Sequence, residues 1–154
     1  MDLEGKYMNL KSGEACRLSG RSDDLETIKK ILTYKTIAVV GCSPKPERPS
    51  HSVAAYLKEE GYKIIPVNPG HKEILGEKCY SSLLDIPGNV DIVDVFRKSE
   101  EVLPIIQEAI AIKAKALWLQ DGISHPEGEA LAKKAGLLVI SNDCLGRRRS
   151  QLKS

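Results

Sequence analysis

The sequence predicts a doubly wound α/β domain on a parallel sheet of five strands in the order 3-2-1-4-5. Five short apolar runs alternate along the chain with segments of helical periodicity, the pattern of repeated strand–helix–strand units. Each run is nearly continuous in apolar residues instead of alternating with polar ones, so both faces of the sheet are expected to be covered. Right-handed crossovers then favour a doubly wound arrangement. The length of 154 residues suits one such domain with a short extension.

Residues 1–20 mix Gly, Ser and charge without a period and read as a loose arm, with Cys16 an incidental thiol. From Ser22 the pattern changes. Ser22, Asp23 or Asp24 can cap a helix whose Leu25, Ile28, Ile31 and Leu32 share one face, which is expected to pack beside the first strand. Ile37 to Val40 is the first strand. It ends in Gly41, passes through a loop of Ser, Pro and charge, and enters a helix marked by Val53, Ala54 and Leu57. Gly61 ends that helix, and Tyr62 to Val67 is the second strand, stopped by Pro66 and Pro69 around Asn68. Residues 70–80 read as a loop with a short edge strand near Lys78 to Tyr80, followed by a helical turn at Ser81 to Asp85 and a turn at Ile86-Pro87-Gly88.

Val90 to Phe96 is the third strand. Ser99 to Ile112 is a helix with Val102, Ile105, Ile106 and Ala109 facing inward. Ala114 to Leu119 is the fourth strand, His125 to Ala135 a helix begun by Pro126, and Leu137 to Ile140 the fifth strand. The domain is therefore placed at 21–146, with a basic tail at 147–154.

Charged residues make up 29% and apolar residues 42%, as in ordinary globular proteins, and the net charge of +2 implies neither a nucleic-acid nor a membrane surface. No run approaches the ~18 apolar residues of a membrane span, and residues 1–20 lack a secretion-signal core, so a cytoplasmic protein is expected. Cys16, Cys42, Cys79 and Cys144 are far apart with no CxxC, which argues against a zinc site or a disulfide framework. Arg147, Arg148 and Arg149 read either as a solvated tail or as a clamp on a phosphate or an acidic partner.

In a doubly wound sheet, ligands bind outside the carboxyl ends of the strands, where the winding reverses. The segments there are GCSPKPERPS, VNPGHKEILG, VFRKSE, WLQDGIS and SNDCLG. The first leads into a helix start, where unpaired N–H groups and a partial positive charge suit an anion, with phosphate the leading candidate. A dinucleotide reader would show G-x-G-x-x-G after the first strand and an acid after the second. Here the first loop has only Gly41 and the second strand ends in Asn68, which speaks against ordinary NAD binding, while His71 and Lys72 suit an extra phosphate on a ribose.

The series VVGCSPKPERPSHSVAAYL, IIPVNPGHKEILGEKCYSSLLDIP, VDIVDVFRKSEEV and ALWLQDGIS resembles the small stand-alone CoA-binding proteins, themselves similar to the amino-terminal domain of the succinyl-CoA synthetase alpha subunit. The likeness covers about Thr36 to Cys144. It implies a Rossmann-like domain that holds coenzyme A or an acyl-CoA, with pyrophosphate over the first loop and adenine near the second and third. Gly41, Cys42 and Ser43, with Arg48, Ser50 and His51, match the pyrophosphate loop; a small Gly41 admits the phosphates, hydroxyls donate, and Arg48 either forks onto two oxygens or meets solvent. Val67, Asn68 and Pro69 match the loop flanking the adenosine, Lys72 or His71 takes the 3′-phosphate, and Gly76 permits a close turn at the same rim. Phe96 either stacks on adenine or fills core, and Arg97 reaches a phosphate. Gln120 is placed on the pantetheine amides, Trp118 in the core with its N–H satisfied, and Gly122 with Ile123 at a second helix-start anion site.

No catalytic constellation stands out from spacing, and His125 reads as a helix-cap neighbour. The synthetase's domain with the phosphorylated histidine has no room in this chain. The reading is thus a non-catalytic binding or regulatory module, with an NAD(H)-binding enzyme or redox sensor as the alternative and a homodimer through a free helix face as a further expectation. The redox alternative rests on Cys42, whose place at a helix start should lower its thiol pKa; a buried apolar role is the competing reading. At Cys144 the usual basic and acidic pattern is replaced by Leu145, Gly146 and three Arg, which leaves the contacts at the distal end of the ligand open.

Overall fold

The computed structural model describes residues 21–153; the arm read over residues 1–20, with Cys16, lies outside them. The described part of Met1–Lys30 is helical from Arg21, the start of α1 (Arg21–Leu32). Ile31–Ser154 holds β1 (Thr36–Val40), α2 (Pro49–Glu59), β2 (Lys63–Val67), β3 (Glu73–Ile74), β4 (Glu77–Lys78), β5 (Ile92–Val95), α3 (Val102–Ala111), β6 (Ala116–Leu119), α4 (Pro126–Lys134), β7 (Leu138–Ile140) and α5 (Leu145–Leu152).

The main sheet is parallel and five-stranded in the order β2-β1-β5-β6-β7, so the α/β, Rossmann-like class read from the sequence is the one observed. Counting only its strands, the order is 2-1-3-4-5 where 3-2-1-4-5 was expected: the third long strand lies beside the first. The outer edge of β2 is already occupied. Tyr80 bridges Val67, exchanging N–H···O bonds with Asn68 and Pro66, and the antiparallel β3–β4 hairpin sits on that side. β5 therefore adds to the other edge of β1, and the winding reverses between β1 and β5.

Ala38, Val40, Val93, Val95, Leu117 and Leu119 form one cluster with Val102, Ile106 and Ala109 of α3 and Ala132 of α4. Period-two alternation turns Val39, Asp94 and Trp118 to the opposite face. Trp118 is fully buried and its Nε1 donates to the Asp143 carbonyl at 2.9 Å, as expected of a core tryptophan. Two glycines set helix contacts: a Cβ on Gly128 would lie 2.6 Å from Ile106 Cδ1, and one on Gly146 3.2 Å from Val53 Cγ1, so α4 nests on α3 and α5 on α2.

The sequence reading had no α5. Arg147 to Arg149 lie on this helix, each paired with an acid: Arg147 with Asp121 at 3.0 Å and Asp143 at 3.1 Å, Arg148 with Asp143 at 3.0 Å, Arg149 with Glu60 at 3.2 Å. The run read as a solvated tail or as a clamp on a partner is engaged within the chain.

Candidate functional site

Strand register builds the rim of the site. Val67, Val40, Val95 and Leu119 stand in one row across β2, β1, β5 and β6, so the residues that follow, Asn68, Gly41, Phe96 and Gln120, emerge side by side. The row is stitched by Gly41 N–H to the Val67 carbonyl (2.9 Å), Phe96 N–H to that of Val40 (2.9 Å) and Gln120 N–H to that of Val95 (3.2 Å). Above it opens a cavity of about 670 Å³, inside the ~300–1,000 Å³ range of small-molecule sites. Its walls come from the segment after every strand of the main sheet: Gly41, Ser43 and Arg48 after β1, Asn68 and His71 after β2, Phe96 and Arg97 after β5, Gln120, Asp121 and Ile123 after β6, and Cys144 after β7.

Gly41 is required by space and by backbone. Its φ is +83°, and a Cβ there would lie 2.8 Å from the Phe96 carbonyl oxygen and 2.9 Å from Arg97 Cδ. The loop that follows is braced from below. Ser50 Oγ, 6% exposed, accepts the Ser43 N–H at 3.0 Å; Ser43 Oγ accepts the Lys45 N–H at 3.1 Å; Asn68 Nδ2 donates to the Cys42 carbonyl at 2.9 Å. His51 Nδ1 lies 2.9 Å from the Ser43 carbonyl, which can only accept, so this nitrogen carries the hydrogen. Pro44, Pro46 and Pro49 carry no N–H, and Pro49 fills the first turn of α2. Positive charge at this end therefore comes chiefly from the side chains of Lys45, Arg48 and Arg97, all exposed, with the His71 ring beside them; Arg97 also meets Glu101 at 3.2 Å.

The opposite wall differs. Asp121 pairs with Arg147, and Gln120, 4% exposed, donates from Nε2 to Asp94 Oδ1 at 2.7 Å. Asp94 is fully buried, its Oδ2 has no partner, and burial pushes its carboxyl up to about 7.

The cavity thus gathers Gly41, Ser43, Arg48, Ser50, Asn68, His71, Phe96, Arg97, Gln120 and Ile123 among the residues read from the sequence. Cys42, His51, Val67, Pro69, Lys72, Gly76 and Gly122 do not line it. Cys42 and Val67 are core, Ser50 and His51 brace the loop, and Gly76 turns the β3–β4 hairpin with φ +73°. At the second helix start, four of the donors read as an anion site are engaged within the chain: Gly122 N–H goes to Asn142 Oδ1 (2.7 Å), Ser124 N–H to Ser99 Oγ (3.1 Å), His125 N–H to Glu129 Oε2 (2.8 Å) and Gly128 N–H to His125 Nδ1 (2.9 Å). His125, read as a neighbour of the cap, is itself the cap of α4.

Of the two readings of Cys42, the buried apolar one is observed: burial, reinforced by nearby Cys79 and Asp94, pushes its thiol up to about 12, so it stays a thiol and the lowered pKa behind the redox alternative is not found. Burial also raises Cys144. Among the described residues no group of His, Cys, Asp and Glu could hold a metal, and no helix is long and apolar enough to cross a membrane.

Sequence reasoning missed Lys45, Asp121 and above all Asp94. An aspartate inside the run VDIVDVF was the available signal, since a carboxyl in a strand covered on both faces needs a reason.

The protein-family model described as a CoA binding domain matches residues 35–149. The YneT protein of Bacillus subtilis strain 168 is 44% identical over 119 residues, 77% of this chain and 88% of its own length. A hypothetical protein from Pyrococcus horikoshii OT3 superposes with a TM-score of 0.80 at 44% identity, over 83% of this chain and 91% of that one. An ADP-forming acetate–CoA ligase of Methanocaldococcus jannaschii is 28% identical over 126 residues, 76% of this chain and 18% of the ligase. The chain belongs to the family of CoA binding domains.

Proposed function

We propose that this protein binds coenzyme A, or an acyl-CoA, in the crevice and acts as a non-catalytic binding or regulatory module. The observation that carries the reading is the cavity itself: a braced loop with no Cβ at Gly41, ringed by Lys45, Arg48, His71 and Arg97, faces an opening of about 670 Å³ at the point where the winding reverses. The pyrophosphate lies over Gly41 and Ser43, with Arg48 forked onto it. Phe96, half-buried at the rim, stacks on adenine. Of the two residues considered for the 3′-phosphate, His71 lines the cavity and Lys72 does not, so His71 takes that role. The shared segment is 18% of the M. jannaschii ligase, so what is carried over from the ligases is CoA binding and not ligation.

Calorimetry with CoA, dephospho-CoA and NADH tests this. CoA binding that weakens with dephospho-CoA is expected; equal affinity for the two removes the role given to His71. No binding of CoA, or NADH binding that CoA cannot displace, overturns the proposal.

A further inference from the structure

The geometry points to Asp94 as a positioning residue that decides which end of the Gln120 amide the crevice presents. The inference rests on the crevice being the CoA site. Asp94 sits on β5 between Val39 of β1 and Trp118 of β6 and is fully buried. Above about pH 7, where Asp94 is ionised, its carboxylate only accepts, so the Gln120 atom 2.7 Å from its Oδ1 is the amide nitrogen. With Nε2 committed inward, Oε1 is left for the cavity that Gln120 lines. The floor of the crevice therefore offers an acceptor, and a ligand must bring a donor to that depth; one bringing an acceptor sets two oxygens against each other. Pantetheine supplies amide N–H groups, whereas the adenosine end is drawn to the cationic rim.

The groups facing Asp94 leave this arrangement intact. Cys42 and Cys144 are near it, and burial raises both thiols, so neither is a charged competitor for the carboxylate near neutral pH. Oδ2 is buried without a partner, so Gln120 is the side chain that satisfies this carboxylate. A strand position with no such task would hold a valine at no cost; a buried carboxyl costs stability and is explained by what it does to Gln120.

The test is a double-mutant cycle on Asp94→Val, which removes the acceptor facing Gln120, and Gln120→Ala, read at about pH 8 by calorimetry with two probes, CoA and adenosine 3′,5′-bisphosphate, which lacks the pantetheine arm. One lost hydrogen bond corresponds to about a fivefold to tenfold weaker CoA affinity in each single variant. The double variant should bind CoA no more weakly than Gln120→Ala alone, and the bisphosphate affinity should not change. Asp94→Leu, which also removes the acceptor, repeats the cycle should the first variant fail to fold. The inference is overturned if Asp94→Val weakens CoA as much in the Gln120→Ala background as by itself, if CoA affinity is unchanged, or if both probes weaken equally. Failure of the wild-type protein to bind CoA would instead remove the binding reading on which it rests.

Discussion

Replacing Asp94 by asparagine should change how stability depends on pH. The carboxyl is fully buried, and burial raises it from the ordinary 3.8 to about 7, only partly offset by the Gln120 hydrogen bond. Below about pH 4 the group is protonated in both folded and unfolded chains and adds no ionisation cost to folding. Between about pH 4 and pH 7 the unfolded chain gives up a proton that the folded one keeps, so stability falls as pH rises; above about 7 both are ionised and the loss is constant. At ~1.36 kcal/mol per pH unit the whole interval amounts to about 4 kcal/mol, a large part of the ~5–15 kcal/mol that holds a domain folded. The asparagine side chain cannot titrate. Urea unfolding of both proteins at several pH values from about 4 to about 8, compared as a difference so that other groups cancel, should show the wild type losing about 4 kcal/mol relative to the variant. Curves that stay parallel within about 1 kcal/mol would refute the assignment of a raised carboxyl to this position.

Gly41→Ala must adopt a φ of +83° with its Cβ 2.8 Å from a backbone oxygen, so a loss of about 2–3 kcal/mol is expected, with CoA binding abolished; a melting temperature within ~2 °C of wild type would contradict this. Ser50→Ala leaves the Ser43 N–H without its acceptor and should cost about 1–2 kcal/mol and weaken CoA more than it weakens folding, as a calorimetric titration beside a urea melt would reveal. Cys42, with a thiol near 12 and no exposure, is a thiolate in only about one molecule in 10⁴ at pH 8, so iodoacetamide should spare it until urea unfolds the chain; native-state alkylation at the rate of a free cysteine, read by peptide mass, would contradict its burial.

Periodicity alone carried much of this protein. Continuous apolar runs such as Ile37 to Val40 and Ala116 to Leu119, short and bounded by turn residues, read as covered strands, and Gly41, Asn68 and Gln120 were legible as candidate rim residues because they directly follow such runs. The hairpin at 73–78 was half seen, as an edge strand near Lys78, since two-residue strands leave little pattern.

Long-range geometry supplied the rest. Local pattern sets which segments are strands but not which edge of β1 the third one joins; that depended on Tyr80 occupying the far edge of β2, a pairing across an intervening hairpin that no periodicity compares. The arginines at 147–149 became a docked helix only because Asp121, Asp143 and Glu60 arrive opposite them from other parts of the chain. Burial had the same character: whether Cys42 lies open to a helix start or sealed beneath it, and whether Asp94 keeps its proton, are properties of everything packed around them, and a residue's neighbours in sequence do not determine its dielectric surroundings.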